Sequence, residues 1–310
     1  MNTTDSALAS LHGVTRRYGD TIAVDDVTLD IRPGEIVGML GPNGAGKTTI
    51  LSLIQGLRRP SSGTVRLFGG DPRDARSRMR LGGTPQETAL PETLRVGEVM
   101  DFVGRHFDRR TPPDELAEQF GLTELLRRQA GSLSGGQKRR LSVALAFAGT
   151  PELVLLDEPT TGLDVDGRRA LWNAIRAQHD AGVTVVVTSH YLEEIEALAE
   201  RVIVIGEGRV LADDRLDAVL SHVGRSRVAM KTPDAAAVAQ LDPSAHHETD
   251  GDTELFFTAD SDLLVRSLVG SGIPFRGLTV RGASLEEAFL ALTGETTETT
   301  ETASERSVLA

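Results

Sequence analysis

The sequence predicts an α/β fold built around a parallel sheet, and three observations lead there. Continuous apolar runs such as EIVGML (Glu35 to Leu40), LVLLD (Leu153 to Asp157) and VTVVVTS (Val183 to Ser189) read as strands covered on both faces. Stretches with helical spacing separate these runs, and alternating strands and helices imply an α/β core. The first run leads straight into a glycine-rich loop and then a helix. With 310 residues the chain has room for one large domain and a smaller one.

From Leu11 to Ile31 apolar and polar residues alternate about a Tyr18-Gly19-Asp20 turn, which predicts two antiparallel strands. After EIVGML and its loop, TTILSLIQGL has helical spacing and ends near Gly56. Ser61 to Gly70 reads as a turn and strand. Pro91 to Arg128 is helical in period, interrupted by Pro112 and Pro113. A helix from Gly167 to Asp180 lies between the two later apolar strands, and RVIVI and GRVLAD form a closing pair of short strands. The pattern weakens at His222 to Arg225, a domain boundary. Beyond it come a strand (Ser226 to Lys231), a helix (Pro233 to Leu241), two strands around Gly251, a helix (Asp260 to Ser271), a strand (Pro274 to Val280) and a helix from Ser284. That order resembles a split βαβ unit with an added helix. The expected division is a flexible N-terminus over 1–8, a large domain over 9–221, a small α+β domain over 225–293 and a disordered tail over 294–310. The tail contains ETTETTET, a low-complexity polar stretch that cannot bury anything.

Composition excludes several classes. Hydrophobic residues make up 39% and charged residues 25%, an ordinary globular mixture. No apolar run approaches the roughly 20 residues of a membrane span. The start, MNTTDSALAS, has neither a basic beginning nor an apolar stretch, so it does not read as a signal peptide, and a cytosolic location is expected. With no cysteine, disulfides, thiolate metal sites and cysteine nucleophiles are all excluded. A net charge of −12 argues against binding nucleic acid through a broad basic surface. Of 33 basic residues only Lys47, Lys138 and Lys231 are lysines, which singles each one out.

GPNGAGKT, Gly41 to Thr48, fits a phosphate-binding loop. Its glycines let backbone N–H groups curl around phosphate oxygens, and the following helix aims its positive end at them. Lys47 suits the terminal phosphates and the Thr48 hydroxyl suits Mg²⁺. LVLLDEP ends a strand with Asp157, which would hold Mg²⁺ directly or through water, and Glu158, a candidate general base. LSGGQ, Leu133 to Gln137, opens a helix that continues through KRRLSVALAFA. A serine and two glycines there make either a plain helix cap or a second anion site. A phosphate loop and a second phosphate cap in one chain suggest a nucleotide shared between two subunits.

The order phosphate loop, LSGGQ, LLDEP, TGLD and SH resembles the ATP-binding cassette of ABC transporters, over residues from about 8 to 220. The resemblance implies an α/β phosphate-loop NTPase cassette with an antiparallel β subdomain and a helical subdomain, followed here by a small C-terminal α+β domain. It implies that Gly41, Pro42, Asn43, Gly44, Ala45, Gly46, Lys47, Thr48 and Thr49 hold ATP, together with Ser134, Gly135, Gly136 and Gln137. It implies that Tyr18 stacks on adenine and that Asp164 touches the opposite subunit. Gln86, in LGGTPQ, would sense Mg²⁺ and the membrane partner, joining Thr48 and Asp157 at the metal and Glu158 and His190 in catalysis. His190, in TSHYLEE, would contact the terminal phosphate; its place just after an apolar strand lifts it above the other six histidines. Val165-Asp166 follow Asp164 where proline is frequent in the family, and Gly83-Thr84 precede Pro85-Gln86 where larger residues are frequent. No catalytic position is replaced, so ATP hydrolysis is expected.

PQETALPETLRVGEVMDFV, TSHYLEEIEALAERVIVI and SLEEAFLALTG resemble bacterial exporters of the drug-resistance type. The resemblance implies a separately encoded polytopic membrane permease, a second cassette copy (identical or related) and a location on the inner face of the membrane through the permease. Thr88 to Phe107 is the expected contact with the permease, or else a plain surface helix. An importer, a lipid-moving system, or a soluble cassette ATPase acting on ribosomes or DNA are the alternatives.

Overall fold

The computed structural model describes residues 7–84, 90–223, 226–282, 284–286 and 289, and the chain divides into two compact units between Leu216 and Asp217. The first unit opens with a hairpin of β1 (Ala9–Tyr18) and β2 (Thr21–Ile31), turning at Gly19 and Asp20. Leu8, assigned to the flexible N-terminus by the sequence reading, is tied in place: its N–H donates to Ile31 O at 2.7 Å and its carbonyl accepts from Phe68 N at 2.7 Å. β3 (Ile36–Leu40) runs into the glycine loop and α1 (Lys47–Ile54), and β4 (Ser62–Leu67) returns to complete a three-stranded antiparallel sheet, β2-β1-β4.

Two small elements that the sequence did not suggest come next, α2 (Ala75–Arg78) and β5 (Leu81–Gly83). The helical stretch expected over Pro91 to Arg128 is two helices and a 3-10 turn. α3 (Val96–Gly104) is followed by α4 (Pro113–Gln119), which Pro113 starts at the position where a missing N–H costs nothing. α5 (Gly135–Ala146) leads to β6 (Leu153–Asp157), α6 (Val165–Asp180), β7 (Thr184–Thr188), α7 (Leu192–Leu198), β8 (Arg201–Gly206) and β9 (Arg209–Arg215). The main sheet has the order β5-β6-β7-β3-β8-β9, parallel throughout except for β9. Every residue of β3, β6 and β7 is buried, which explains their unbroken apolar patterns.

One core joins the two sheets through α1: Val37, Met39, Leu155, Val186 and Ile203 pack with Ile50, Leu53 and Ile54, and with Leu11, Val27 and Ile31 of the hairpin. At about 25 cal/mol per Å² of apolar surface, each such side chain contributes on the order of 2 kcal/mol. The glycine loop is thereby fixed between two rigid layers.

The second unit begins with α8 (Leu216–Val223), all of it but Leu216. It goes on with β10 (Ser226–Lys231), α9 (Ala235–Leu241), β11 (His246–Asp250), β12 (Thr253–Thr258), α10 (Ser261–Ser271) and β13 (Arg276–Arg281). Its sheet, β11-β12-β10-β13, is antiparallel throughout, the arrangement of two interleaved βαβ units. Val228, Met230 and Phe256 on one sheet face bury against Val238 of α9 and Leu264 and Leu268 of α10. The tail over 294–310 lies outside the described residues, as does all of the helix expected from Ser284 except residues 284–286 and 289.

Candidate functional site

Three neighbouring strands of the main sheet, β6, β7 and β3, end side by side at their C-terminal edge. In open parallel sheets that edge is where ligands bind. β3 delivers the Gly41–Thr48 loop, β6 delivers Asp157 and Glu158, and β7 delivers Ser189 and His190.

The loop is shaped for a group that is not protein. Gly46 has φ 107°, and a Cβ there would lie 2.4 Å from Ala23 O of β2, so only glycine allows this approach. Gly44 has φ 84° with nothing within 4 Å of where its Cβ would be, leaving open room inside the bend. Lys47 is 6% exposed, and its ammonium donates to Gly41 O at 2.6 Å and Pro42 O at 3.1 Å rather than to a carboxylate. Burial pushes its pKa down, opposed by the charges of Glu158 and Asp157. A buried cation held by loop carbonyls beside open space fits a polyphosphate. Pro42 and Asn43 are exposed on the rim, Ala45 is buried, and Thr49 is half-buried in α1.

Thr48 Oγ1 donates to Asp157 Oδ2 at 2.9 Å, which joins the first turn of α1 to the end of β6. Asp157 is 6% exposed and also accepts from Thr188 Oγ1 at 2.5 Å, while its own N–H donates to Thr84 Oγ1 at 3.0 Å. Thr48 and Asp157 are hard oxygen donors. Among the described residues no cluster of three or more His, Asp or Glu could cage a metal by itself. That combination suits Mg²⁺, which takes one or two protein oxygens and completes its shell with phosphates and water.

Glu158 holds φ 49°, a left-handed conformation rare for a residue with a side chain and a feature of functional sites. The strain is held from two sides. Its N–H donates to Thr188 O and Thr188 Oγ1, both at 3.1 Å, and its carbonyl accepts from Arg139 Nη2 at 2.7 Å. Arg139 reaches across from α5, also donating to Pro159 O at 3.2 Å and to Asp157 O. The Glu158 carboxylate remains one-third exposed, with Oε1 3.3 Å from His190 Nδ1 and Oε2 accepting from Thr161 Oγ1 at 3.3 Å. An acid and an imidazole thus meet at solvent.

Ser134 caps α5 reciprocally: its hydroxyl accepts from Gln137 N at 3.2 Å and its N–H donates to Gln137 Oε1 at 3.0 Å. Gly135 has nothing within 4 Å of its Cβ position, and a cavity of about 350 Å³ lies between the start of α5 and the Asp157–Gly162 loop. Gly136 is half-buried against Leu163. Asp164 caps α6, accepting from Gly167 N at 2.7 Å, and lies exposed. Tyr18 ends β1, 40% exposed, with the Arg16 guanidinium 4.5 Å from its ring centroid. Gln86 lies outside the described residues, three positions after β5.

Lys47, Thr48, Asp157, Glu158 and His190 therefore converge, while Ser134 and Gly135 of the LSGGQ cap and Asp164 are exposed. Sequence reasoning missed Thr84, Arg139, Thr188 and Glu194, which hold the acidic loop. Thr84 and Thr188 sit at or next to strand ends beside named residues, a usable signal; Arg139 is one of the adjacent basic residues in KRR.

Comparison with known proteins gives a consistent result. The family model described as ABC transporter matches residues 24–161. The daunorubicin resistance ATP-binding protein DrrA3 of Streptomyces coeruleorubidus is 37% identical over 94% of this chain and 97% of its own. The Nod factor export ATP-binding protein I of Burkholderia orbicola is 38% identical over 91% of this chain and 95% of its own. Among solved structures, an ATP-binding subunit of an ABC transporter superposes with a TM-score of 0.64 at 28% identity, over 70% of this chain and 93% of its own. A dimeric, post-hydrolysis ATP-binding cassette bound to ADP and Pi superposes with a TM-score of 0.61 at 26% identity, over 67% of this chain and 98% of its own.

Proposed function

Because the chain belongs to the ABC transporter family as an ATP-binding subunit, we propose that its ATP hydrolysis powers export of a drug-like or natural-product cargo through a separate polytopic membrane permease. The observation that carries the reading is the convergence of Lys47 and Thr48 with Asp157, Glu158 and His190 on adjacent strand ends. Two further facts support it. The relatives named for daunorubicin resistance and Nod factor export match almost the whole chain, and among the described residues no helix is long and apolar enough to cross a membrane.

ATP binds with its phosphates in the Gly41–Thr49 loop, where Lys47 exchanges its carbonyl partners for phosphate oxygens. Tyr18 stacks on the adenine. The Thr48 hydroxyl and the Asp157 carboxylate, with Gln86, would hold Mg²⁺, which would neutralise charge on the terminal phosphates. Glu158 orients the attacking water and accepts its proton, and His190 hydrogen-bonds the terminal phosphate. Lys47 and the start of α5 supply positive potential where charge grows in the transition state. Ser134, Gly135, Gly136 and Gln137, of which the first two are exposed, serve the nucleotide of a second copy, whose Asp164 meets this chain in turn. Two copies closing head to tail on two nucleotides switch the access of the permease, and hydrolysis reopens them. The permease docks on the Thr88 to Phe107 segment, where Phe102 of α3 is 58% exposed. The protein is thereby held on the inner face of the membrane.

An affinity pull-down from detergent-solubilised native membranes tests this reading. Near-stoichiometric recovery of a polytopic membrane protein is expected, while recovery of ribosomal or DNA-associated proteins, or of nothing, would contradict it.

A further inference from the structure

Glu194 of α7 is a carboxylate with 0% exposure that no step above uses. Its Oε2 accepts from Thr160 Oγ1 at 2.9 Å and its Oε1 from Trp172 Nε1 at 3.3 Å. Three segments meet in this way. Thr160 stands two residues after Glu158, Trp172 lies on α6, the helix that Asp164 caps, and Glu194 itself lies on α7, four residues after His190. Thr160 is 1% exposed, so water cannot replace Glu194 as its partner.

Packing alone does not call for a carboxylate here. Its neighbours Ile195 and Leu198 fill the same inward side of α7 with apolar atoms, and an apolar residue would cost far less to bury than an acid. What a carboxylate offers is acceptor capacity without a donor, enough for both donors at once. Arg139 in turn grips the backbone carbonyls of Asp157, Glu158 and Pro159. Glu194 ties the far end of that loop to the helix that follows His190.

We propose that Glu194 is a positioning residue for ATP hydrolysis: by holding Thr160 from the helix that follows His190 it keeps Glu158 and His190 in register, 3.3 Å apart. The assignment rests on the ATPase reading above. It acts through Glu158 and His190 and touches no nucleotide, so it governs turnover and not affinity.

The test uses the full-length chain with MgATP, and the variants Glu194→Gln, Glu194→Asp and Thr160→Val. Glutamine keeps the shape but replaces one of the two acceptor oxygens by an NH₂, so Thr160 and Trp172 no longer both donate to this side chain as they do now. A misplacement of about 1 Å at a reacting centre lowers turnover about a hundredfold, so Glu194→Gln is expected to reduce kcat by about tenfold to a hundredfold with KM within about twofold. Glu194→Asp, which keeps the acceptors one methylene shorter, recovers part of the loss. Thr160→Val lowers kcat in the same way. Combining it with Glu194→Gln adds less than about threefold, because both changes break one clamp. Unchanged kcat, losses that multiply in the double variant, or kcat, KM and thermal midpoint falling in step would overturn the assignment. A wild-type chain that fails to hydrolyse MgATP would instead overturn the ATPase reading, and this assignment with it.

Discussion

Replacing Glu158 by glutamine preserves size and hydrogen bonding but removes the only feature that proton transfer requires, so turnover and binding should separate. General-base catalysis contributes about a hundredfold to ten-thousandfold, so kcat of Glu158→Gln is expected to fall by at least a hundredfold while the MgATP Kd stays within a few-fold, measured by steady-state hydrolysis and nucleotide titration. Lys47→Ala should do the reverse. Losing a charge-assisted contact to phosphate is worth about 1.5–3 kcal/mol, a loss of roughly tenfold or more in ATP affinity. Glu194 makes a prediction of its own. Burial holds its carboxyl above the ordinary value of 4.5, and this outweighs the hydrogen bonds from Ser189, Thr160 and Trp172 and the charge of His190. A group raised in this way supports the fold fully below its unfolded value and loses that support as pH rises through the folded one. Glutamine has no such loss, so the thermal midpoint of Glu194→Gln minus that of wild type should increase from about pH 4 to about pH 8, and a flat difference would refute the burial argument.

At the level of elements, the same chemistry explains what could be read from the sequence and what could not. β3, β6 and β7 were legible because central strands buried on both faces are apolar throughout. The start of α4 followed from the Pro112-Pro113 break, while its end at Gln119 did not, since the helical period runs on to Arg128. β5 was hidden, since three residues of which two are glycine carry no alternation, and so was the four-residue α2. Lys47, Thr48, Asp157 and Glu158 were legible because their spacing along the chain is tied to strand ends. Glu194 was not: in YLEEIEALAE it is one of several glutamates, and although its spacing sets it on the inward side with Ile195 and Leu198, an acid there gives no apolar signal. The donors that receive it, Thr160 and Trp172, come from elsewhere in the chain. α5 carries a separable prediction. Ser134 both caps the helix and, in the proposed dimer, faces the other copy's nucleotide. Ser134→Ala should cost about 1 kcal/mol in thermal or denaturant unfolding, the worth of a helix cap. If the cap were its sole role, hydrolysis at temperatures well below the midpoint would be untouched; a loss of roughly tenfold in kcat there is what a nucleotide contact requires.

Across the whole molecule, the solved cassettes and the curated relatives match different shares of the chain. The two solved cassettes described above superpose on 67% and 70% of the chain, whereas the daunorubicin-resistance and Nod-factor relatives span 94% and 91% of it. The second unit, with its own sheet and core, is therefore shared with exporter subunits along the sequence as well as present in the fold. The order of strands and helices in that unit was readable, because each of its strands and helices has a simple period. The arrangement of its sheet as β11-β12-β10-β13 was suggested only by analogy with a split βαβ unit. For the first unit, the proposed function pairs the phosphate loop of one chain with the exposed Ser134 cap of a second copy. Size-exclusion chromatography with light scattering on Glu158→Gln tests that claim most directly. The account predicts the mass of one chain without nucleotide and of two chains with MgATP, with wild type returning to one as ATP is consumed. A mass that stays at one chain in MgATP would contradict it.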